Sequence, residues 1–116
     1  MVRFINLTPH TVKIINSDDE IFPISPSGLL ARRRFHQIPC GDLISDSGHR
    51  VMTTRLIVGE VENLPAPQEG IVYITSSMVA QAVQRVDVLS PDTSPMGAVR
   101  NENGNIIGVR ALQHFQ

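Results

Sequence analysis

The sequence is poor in the residues that build covalent or reactive sites. It has a single cysteine, Cys40, so no disulfide can form within the chain. His36 and Cys40 are four residues apart, but a zinc site needs about four ligands and no second pair has ligand spacing. Glycine-rich phosphate loops, GxSxG elbows and HExxH motifs are also absent. We therefore expect neither a metal nor any other cofactor.

Long apolar runs are missing as well. No segment approaches the roughly 18 apolar residues that a membrane-spanning helix requires. The first residues contain polar side chains and Pro9 where a secretion signal needs an unbroken apolar stretch. Together with the lone cysteine, this pattern predicts a soluble protein of the cytoplasm.

The charge is nearly balanced, with ten basic and eleven acidic residues. Such a balance argues against general nucleic-acid binding, which depends on releasing many counterions from phosphates. Lys13 is the only lysine, and an excess of arginine suits bidentate binding of phosphate or carboxylate, although drift in base composition explains it equally well.

With 116 residues the chain has the size of one domain, which we place at 1–116. Its pattern predicts an α+β, strand-rich fold, a mostly antiparallel sheet or partly open barrel with one short helix. Strands are predicted at 3–7 and 12–15, with a hairpin through 16–19 into 20–24. The run 29–38 favours a strand. Residues 40–42 and 46–49 predict turns around Leu43 and Ile44.

The second half gives clearer signals. Residues 51–61 predict a long strand that Gly59 bulges, and 64–70 a proline-containing loop. An apolar strand at 71–75 is followed by a helix at about 77–85, with Met78, Val79, Ala82 and Val83 on its packed side. A short strand at 86–89, a loop at 90–95 and a hairpin of 98–100 with 106–109 complete the chain.

Polar residues near turns are the candidate binding residues. Ser76 and Ser77 offer hydroxyls at a helix start, and the run Arg32 to Arg34 offers guanidinium groups that Arg55 or Arg100 would join. Plain structural roles, such as a helix cap or a solvated strand edge, compete with each of these interpretations. The predicted ligand-binding set is Asn6, Thr8, His10, Arg32, Arg55, Ser76, Ser77 and Arg100.

Catalytic interpretations are weaker. Glu60 and Glu62 share one face of a strand, as paired acid/base carboxylates do, but such pairs are common on solvated edges. A Cys40–His36 nucleophile pair has no third group to orient the base. We predict no catalytic residue.

A combination of short motifs runs along most of the chain, at 6–10, 26–28, 31–32, 59–61, 64–70, 72–74, 76, 79–80, 85, 87, 91–93, 99–100 and 104–108. Together these motifs resemble a family of small, largely uncharacterised proteins of phages, prophages and bacteria with an N-terminal Asn-Leu-Thr-Pro-His motif. The resemblance spans nearly the whole chain and departs at 40–54, Asn63 and Thr75. It implies a small accessory protein that acts by binding, for example an anti-defence protein that sequesters a nucleotide immune signal or blocks a host protein. It also implies a possible homo-oligomer. If the chain is phage-encoded, the expected location is the host cytoplasm.

Two other classes of function stay open. One is a small enzyme that cleaves such nucleotide signals, with His10 or the two glutamates in acid/base roles. The other is a structural or protein-interaction module with no small ligand.

Overall fold

The structure is a computed structural model that describes residues 1–116, and it is rich in strands with one short helix, as predicted. The strands form open, mixed sheets and no closed barrel, and antiparallel pairs outnumber parallel ones. No helix has the length and apolar character needed to cross a bilayer. The elements are β1 (Arg3–Asn6), β2 (Val12–Ile15), β3 (Ile21–Ile24), β4 (Arg32–Ile44), β5 (Arg50–Glu62), β6 (Ile71–Ile74), α1 (Ser77–Val83), β7 (Val88–Pro91), β8 (Ala98–Arg100), β9 (Ile106–Val109) and β10 (Leu112–Gln113).

Two four-stranded sheets form the body of the molecule. The first sheet has the order β1-β6-β7-β10, and its first three strands are parallel. The second sheet has the order β3-β2-β9-β8, with the two predicted hairpins at its ends and a parallel β2–β9 pair between them. The first two strands of the chain therefore belong to different sheets.

Alternating side chains of β6 pack against two different layers of the body, the helix and the second sheet. Tyr73 is buried with Val79 and Ala80 of the helix, whereas its neighbour Ile74 is buried with Val12 and Val109 of the second sheet. Successive side chains of a strand point to opposite faces. The first sheet is therefore packed between α1 on one face and the second sheet on the other.

The helix is shorter than its sequence pattern predicts. It ends at Val83 because Gln84 adopts a left-handed conformation with φ 48°. Its packed side is also different, since Val79 and Ala80 are buried while Met78 and Ala82 are exposed. The predicted packing of a strand against an amphipathic helix is nevertheless confirmed.

The third sheet is a two-stranded ribbon of β4 and β5, which we call the arm (residues 32–62). Each of its strands has 13 residues. Two register shifts bend the arm: Gly59 and Glu60 face the single residue Arg34, and Cys40 and Gly41 face Thr53. The bulge expected at Gly59 is thus confirmed.

The turn predicted at 40–42 is wrong. Those residues form the second bulge, where Gly41 has φ 93° and its carbonyl oxygen accepts a hydrogen bond from Thr53 Oγ1 at 2.8 Å. A bulge absorbs one extra residue without ending the strand, so the same glycine that suggests a turn lets β4 continue to Ile44. The chain reverses only at Ser45–His49, where Ser45 N donates a hydrogen bond to His49 O at 2.8 Å.

The arm makes the molecule long. Its radius of gyration is 18.0 Å and its extents are 58 × 39 × 25 Å. A compact chain of this length has a radius of gyration of roughly 13 Å. The arm therefore projects from the body, and only its base packs near the helix and the first sheet.

Candidate functional site

The parallel strands of the first sheet determine where the site lies. Because β1, β6 and β7 run in the same direction, their carboxyl ends meet at one edge of the sheet. Thr8 follows β1, Ser76 follows β6, and Ser90 lies in the last part of β7. Carboxyl ends of parallel strands are where open α/β sheets usually bind ligands.

A polar cleft of about 760 Å³ lies at this edge, between the first sheet and strands β2 and β9 of the second. Ligand sites in proteins usually have volumes of about 300–1,000 Å³. Hydroxyl groups dominate the wall of the cleft, and apolar residues come mainly from β9. The polar cleft is lined by Thr8, His10, Thr11, Val12, Lys13, Thr75, Ser76, Ser77, Ser90, Pro91, Thr93, Ile106, Ile107, Gly108 and Val109.

Ser90 is the most informative residue of the polar cleft. The residue is only 1% exposed, and its Oγ is the one buried side-chain polar atom of the structure with no hydrogen-bond partner. Buried hydroxyls almost always have a partner, since leaving one without costs about 1–3 kcal/mol. Ser90 also lines the cleft, so its hydroxyl is our candidate for a hydrogen bond to a molecule bound there.

Asn6 shapes the turn that brings Thr8 and His10 to the cleft. Its side-chain nitrogen donates to the carbonyl oxygens of His10 and Ile24 at 2.8 and 2.9 Å. Its side-chain oxygen accepts from Thr8 N and Thr8 Oγ1 at 2.9 and 2.7 Å. Asn6 is buried and does not line the cleft. It positions the turn, whereas Thr8 and His10 face the ligand space.

Ser76 and Ser77 both line the polar cleft. Ser76 is also the N-cap of α1, since its Oγ accepts a hydrogen bond from Val79 N at 3.3 Å. The helix has only seven residues, so its dipole is small, and we assign no anion site to its start. The two serines contribute to the cleft through their hydroxyl groups.

The charge of the polar cleft is positive or neutral. Its ionisable residues are Lys13 and His10, and no aspartate or glutamate lines it. Asp92 lies between two lining residues without lining the cleft itself, and hydrogen bonding from Ser94, through the side chain and then the backbone N–H, lowers the pKa of Asp92 and so keeps its carboxylate charged. Its carboxylate packs where Gly97 has no side chain. The lining of the cleft therefore suits an anionic or strongly polar ligand.

A second, basic cleft of about 900 Å³ lies at the base of the arm and contains the three consecutive arginines. Arg33 Nε donates to Gly59 O at 3.3 Å, and Arg34 Nε lies 2.7 Å from a carboxylate oxygen of Glu62. Arg32 has neither an ion pair nor a side-chain hydrogen bond in the chain. Ser76 lines both clefts, so they adjoin at the end of β6.

The other two predicted arginines lie away from both clefts. Arg55 is in the middle of the arm, opposite Ile38. Arg100 Nη1 donates to Gly104 O at 2.6 Å within the β8–β9 hairpin. The structure thus brings together Thr8, His10, Ser76 and Ser77 in one cleft and places Arg32 in the adjoining one.

The acidic and sulfur-containing candidates do not converge on one site. Glu62 lines the basic cleft and binds Arg34, whereas Glu60 lines neither cleft. Cys40 is exposed in the second bulge of the arm. No group of three or more His, Cys, Asp or Glu side chains is placed to hold a metal ion.

Sequence reasoning did not find the remaining residues of the polar cleft, chiefly Lys13, Thr75, Ser90 and Thr93. The sequence pattern predicts a loop at Ser90 and Thr93, whereas β7 extends through Ser90, and it predicts a strand at Thr75, whereas β6 ends at Ile74. Local sequence carries no signal for the parallel pairing that places them together.

No family model, curated protein or solved structure matches the chain.

Proposed function

We propose that the protein is a small accessory protein that acts by binding an anionic, nucleotide-type molecule in the polar cleft. In the phage or prophage setting that the resemblance implies, the binding would sequester a nucleotide immune signal. The observation that carries the proposal is the buried, unpartnered hydroxyl of Ser90 in a carboxylate-free wall. The protein alone does not satisfy that group, and a ligand oxygen would.

The composition of the wall supports the class of ligand. Thr8, Ser77 and Thr93 are hydroxyl donors for phosphate or ribose oxygens, and Lys13 supplies a positive charge. The apolar residues Ile106 and Ile107 of β9 offer a surface for the flat face of a base. Arg32, which has no partner in the chain, lies in the adjoining basic cleft and extends the positive region beyond Ser76.

Binding is favoured over catalysis by the side chains available. General acid/base cleavage of a phosphodiester needs a proton acceptor and a donor within hydrogen-bond reach of the reacting atoms. His10 is the only histidine that lines the polar cleft, and no carboxylate lines the cleft to orient it. Retention of the intact ligand is therefore the expected behaviour.

Native mass spectrometry of the purified protein is the first test, because it reports any small molecule that is tightly held. Thermal-shift measurements with cyclic oligonucleotides and ADP-ribose derivatives then identify the class of ligand. We expect at least one of these molecules to raise the melting temperature, since a ligand that binds only the folded state stabilises it. The absence of both a retained molecule and a thermal shift would contradict the proposal.

Ser90→Ala makes the test specific to the cleft. The substitution removes a hydroxyl that has no partner, so the ligand-free protein should keep its stability or gain about 1 kcal/mol. The ligand-induced shift should fall, because one hydrogen bond to the ligand is lost. Ser17→Ala is the matched control, since Ser17 is an exposed serine that lines neither cleft and makes no side-chain hydrogen bond.

The enzyme alternative gives a different result in the same samples. A cleaving enzyme would convert the nucleotide over time, and His10→Ala would abolish the conversion. A sequestering protein would return the nucleotide intact after denaturation, and His10→Ala would change only the affinity. Liquid chromatography of the recovered nucleotide distinguishes the two outcomes.

A further inference from the structure

The arm is the largest part of the molecule that nothing in the chain covers. None of the residues of β4 and β5 is buried. An isolated two-stranded hairpin is marginally stable in water, and it becomes stable when an apolar face packs against something else. Nine of the nineteen exposed large apolar residues lie on these two strands: Phe35, Ile38, Leu43, Ile44, Val51, Met52, Leu56, Ile57 and Val58.

The register assigns these residues to the two faces of the ribbon. Directly opposed residues of an antiparallel pair share a face, and the opposed pair Phe35 and Val58 defines one face. Leu56 lies on the same face two residues before Val58, and Met52 lies on it four residues before Leu56. With exposed fractions of 41–69%, these four apolar residues alternate with Gln37, Thr54 and Asp42 along one face of the arm, which we call the arm face.

We infer that the arm face is covered by a second copy of this chain, with the two arms antiparallel about a two-fold axis. The charges of the arm favour this arrangement. The base carries Arg32, Arg33 and Arg34 against Glu60 and Glu62, so one positive charge is in excess. The end near the turn carries two aspartates, Asp42 and Asp46, against Arg50, so one negative charge is in excess. An antiparallel contact places each base beside the other copy's turn, and opposite charges face each other.

The area of the arm points to the same partner. A strand of 13 residues is roughly 43 Å long and a two-stranded ribbon roughly 10 Å wide, so one face measures roughly 430 Å². A specific interface usually buries about 800 Å² on each partner. The arm face alone supplies about half of that. In the two-fold arrangement each turn also meets the basic cleft of the other chain, whose wall includes residues outside the arm, so the base adds to the area buried on each chain.

The base offers a place for that turn. The basic cleft is open there, and its wall includes the exposed residues Phe35 and Met78 beside Arg32. Arg32 has no partner within the chain, so an incoming carboxylate from Asp46 of the second copy would meet a free guanidinium group. The contact is isologous, as two-fold interfaces are, because the same pair of groups meets twice.

Light scattering coupled to size-exclusion chromatography tests the inference. The chain has a mass of 12.8 kDa, and we expect the wild-type protein to elute at twice that mass at about 100 µM, a concentration well above the Kd of ordinary stable dimers. Leu56→Asp introduces a charge in the middle of the arm face and should return the mass of one chain. Met96→Asp is the matched control, since Met96 is 89% exposed on the body, and should leave the mass unchanged.

A charge exchange tests the antiparallel orientation and does not depend on the apolar face. Asp46→Arg should weaken the dimer a few-fold, because two arginines then meet at each contact. Adding Arg32→Asp in the same chain should recover the affinity. Far-UV circular dichroism establishes that each variant is folded before its dimerisation constant is measured by dilution.

Three results would overturn the inference. The first is a wild-type mass of one chain at every concentration. The second is a folded Leu56→Asp variant that keeps the mass of two chains. The third is a charge exchange that fails to recover affinity, which would exclude the antiparallel two-fold even if a dimer forms.

Discussion

The body and the arm are built from similar residues but bury them very differently. All 17 buried residues of the chain lie in the body, and the two strands of the arm contain none. The body has two sheets and a helix to cover its apolar side chains, whereas the arm has only one sheet. A strand pattern therefore predicts pairing reliably, but whether its apolar residues are buried depends on a second layer that the pattern does not specify.

The two regions also use polar groups differently. In the body, all of the hydrogen-bonding groups of the Asn6 side chain have partners. Two side-chain nitrogens of Arg85 donate hydrogen bonds to the carboxylate of Asp87 at 3.0 and 2.7 Å. In the arm, Arg50 reaches Asp42 through a single contact of 3.1 Å. The polar contacts of the body fix a geometry, and those of the arm are exposed and weak.

Removing an apolar side chain should show the largest difference between the regions. Ile74 is fully buried, so Ile74→Ala should lower the free energy of unfolding by about 2–5 kcal/mol. Leu43 is 64% exposed, and Leu43→Ala should cost less than about 0.5 kcal/mol. Urea unfolding measures both in the Leu56→Asp background, where no second copy contributes. Equal costs would mean that the arm packs against its own body.

Replacing a glycine by alanine should give a smaller difference in stability between the body and the arm. An alanine at position 97 would place its Cβ against the carbonyl oxygen and side chain of Asp92, so Gly97→Ala should cost about 1–3 kcal/mol. At Gly59, in the first bulge of the arm, the new Cβ would lie 3.5 Å from Arg34 Cβ, an ordinary contact. Gly59→Ala should change stability by no more than about 0.5 kcal/mol. Thermal unfolding in the same background compares the two, and a larger loss at position 59 would contradict the expectation.

Removing the carboxylate of an ion pair should give the smallest difference in stability between the two regions, and this difference should depend on pH. Hydrogen bonding to Arg85 lowers the pKa of Asp87 below its ordinary value, against the opposing effect of burial. A lowered pKa in the folded state adds stability above the ordinary carboxyl pKa, and this stability is lost as the pH falls through the folded value. Asp87→Asn should therefore cost about 1 kcal/mol near pH 7 and progressively less below about pH 4.

The matched variant in the arm is Asp42→Asn. Its partner Arg50 has a side chain that is 72% exposed, so the substitution should cost no more than about 0.5 kcal/mol near pH 7. Urea unfolding of both variants and the parent at several pH values measures the difference. A cost for Asp87→Asn that stays constant from neutral to acid pH would show that the carboxylate charge is not what stabilises that contact.

Local signals in the sequence predicted the local parts of the fold. The polar run at 16–19 and the Asn103–Gly104 pair indicated hairpins that the structure confirms, and Ser76 marked the start of the helix. The arm was missed as one unit because Gly41 suggests a turn as readily as a bulge. The sequence distinguishes those two roles only through the register of the opposite strand.

The polar cleft was found in part for the same reason. Thr8 and His10 lie in the short turn between β1 and β2, and Ser76 and Ser77 lie just after β6, so all four are visible as polar residues near strand ends. No such pattern surrounds Ser90 in the sequence. Its importance comes from a buried hydroxyl group that has no hydrogen-bond partner, which only the packed structure reveals. The parallel order β1-β6-β7 joins segments that are far apart in the chain, and no residue pattern near any one strand indicates it.

The same long-range pairing orders the events of folding. Arg3 pairs with Ile71, so β1 has no neighbour in the first sheet until the chain as far as β6 is available. The arm closes through the short turn at Ser45–His49, and hairpins of that kind form in about 1–10 µs. On a growing chain both strands of the ribbon are therefore available for pairing before β6, and their pairing does not wait for the first sheet.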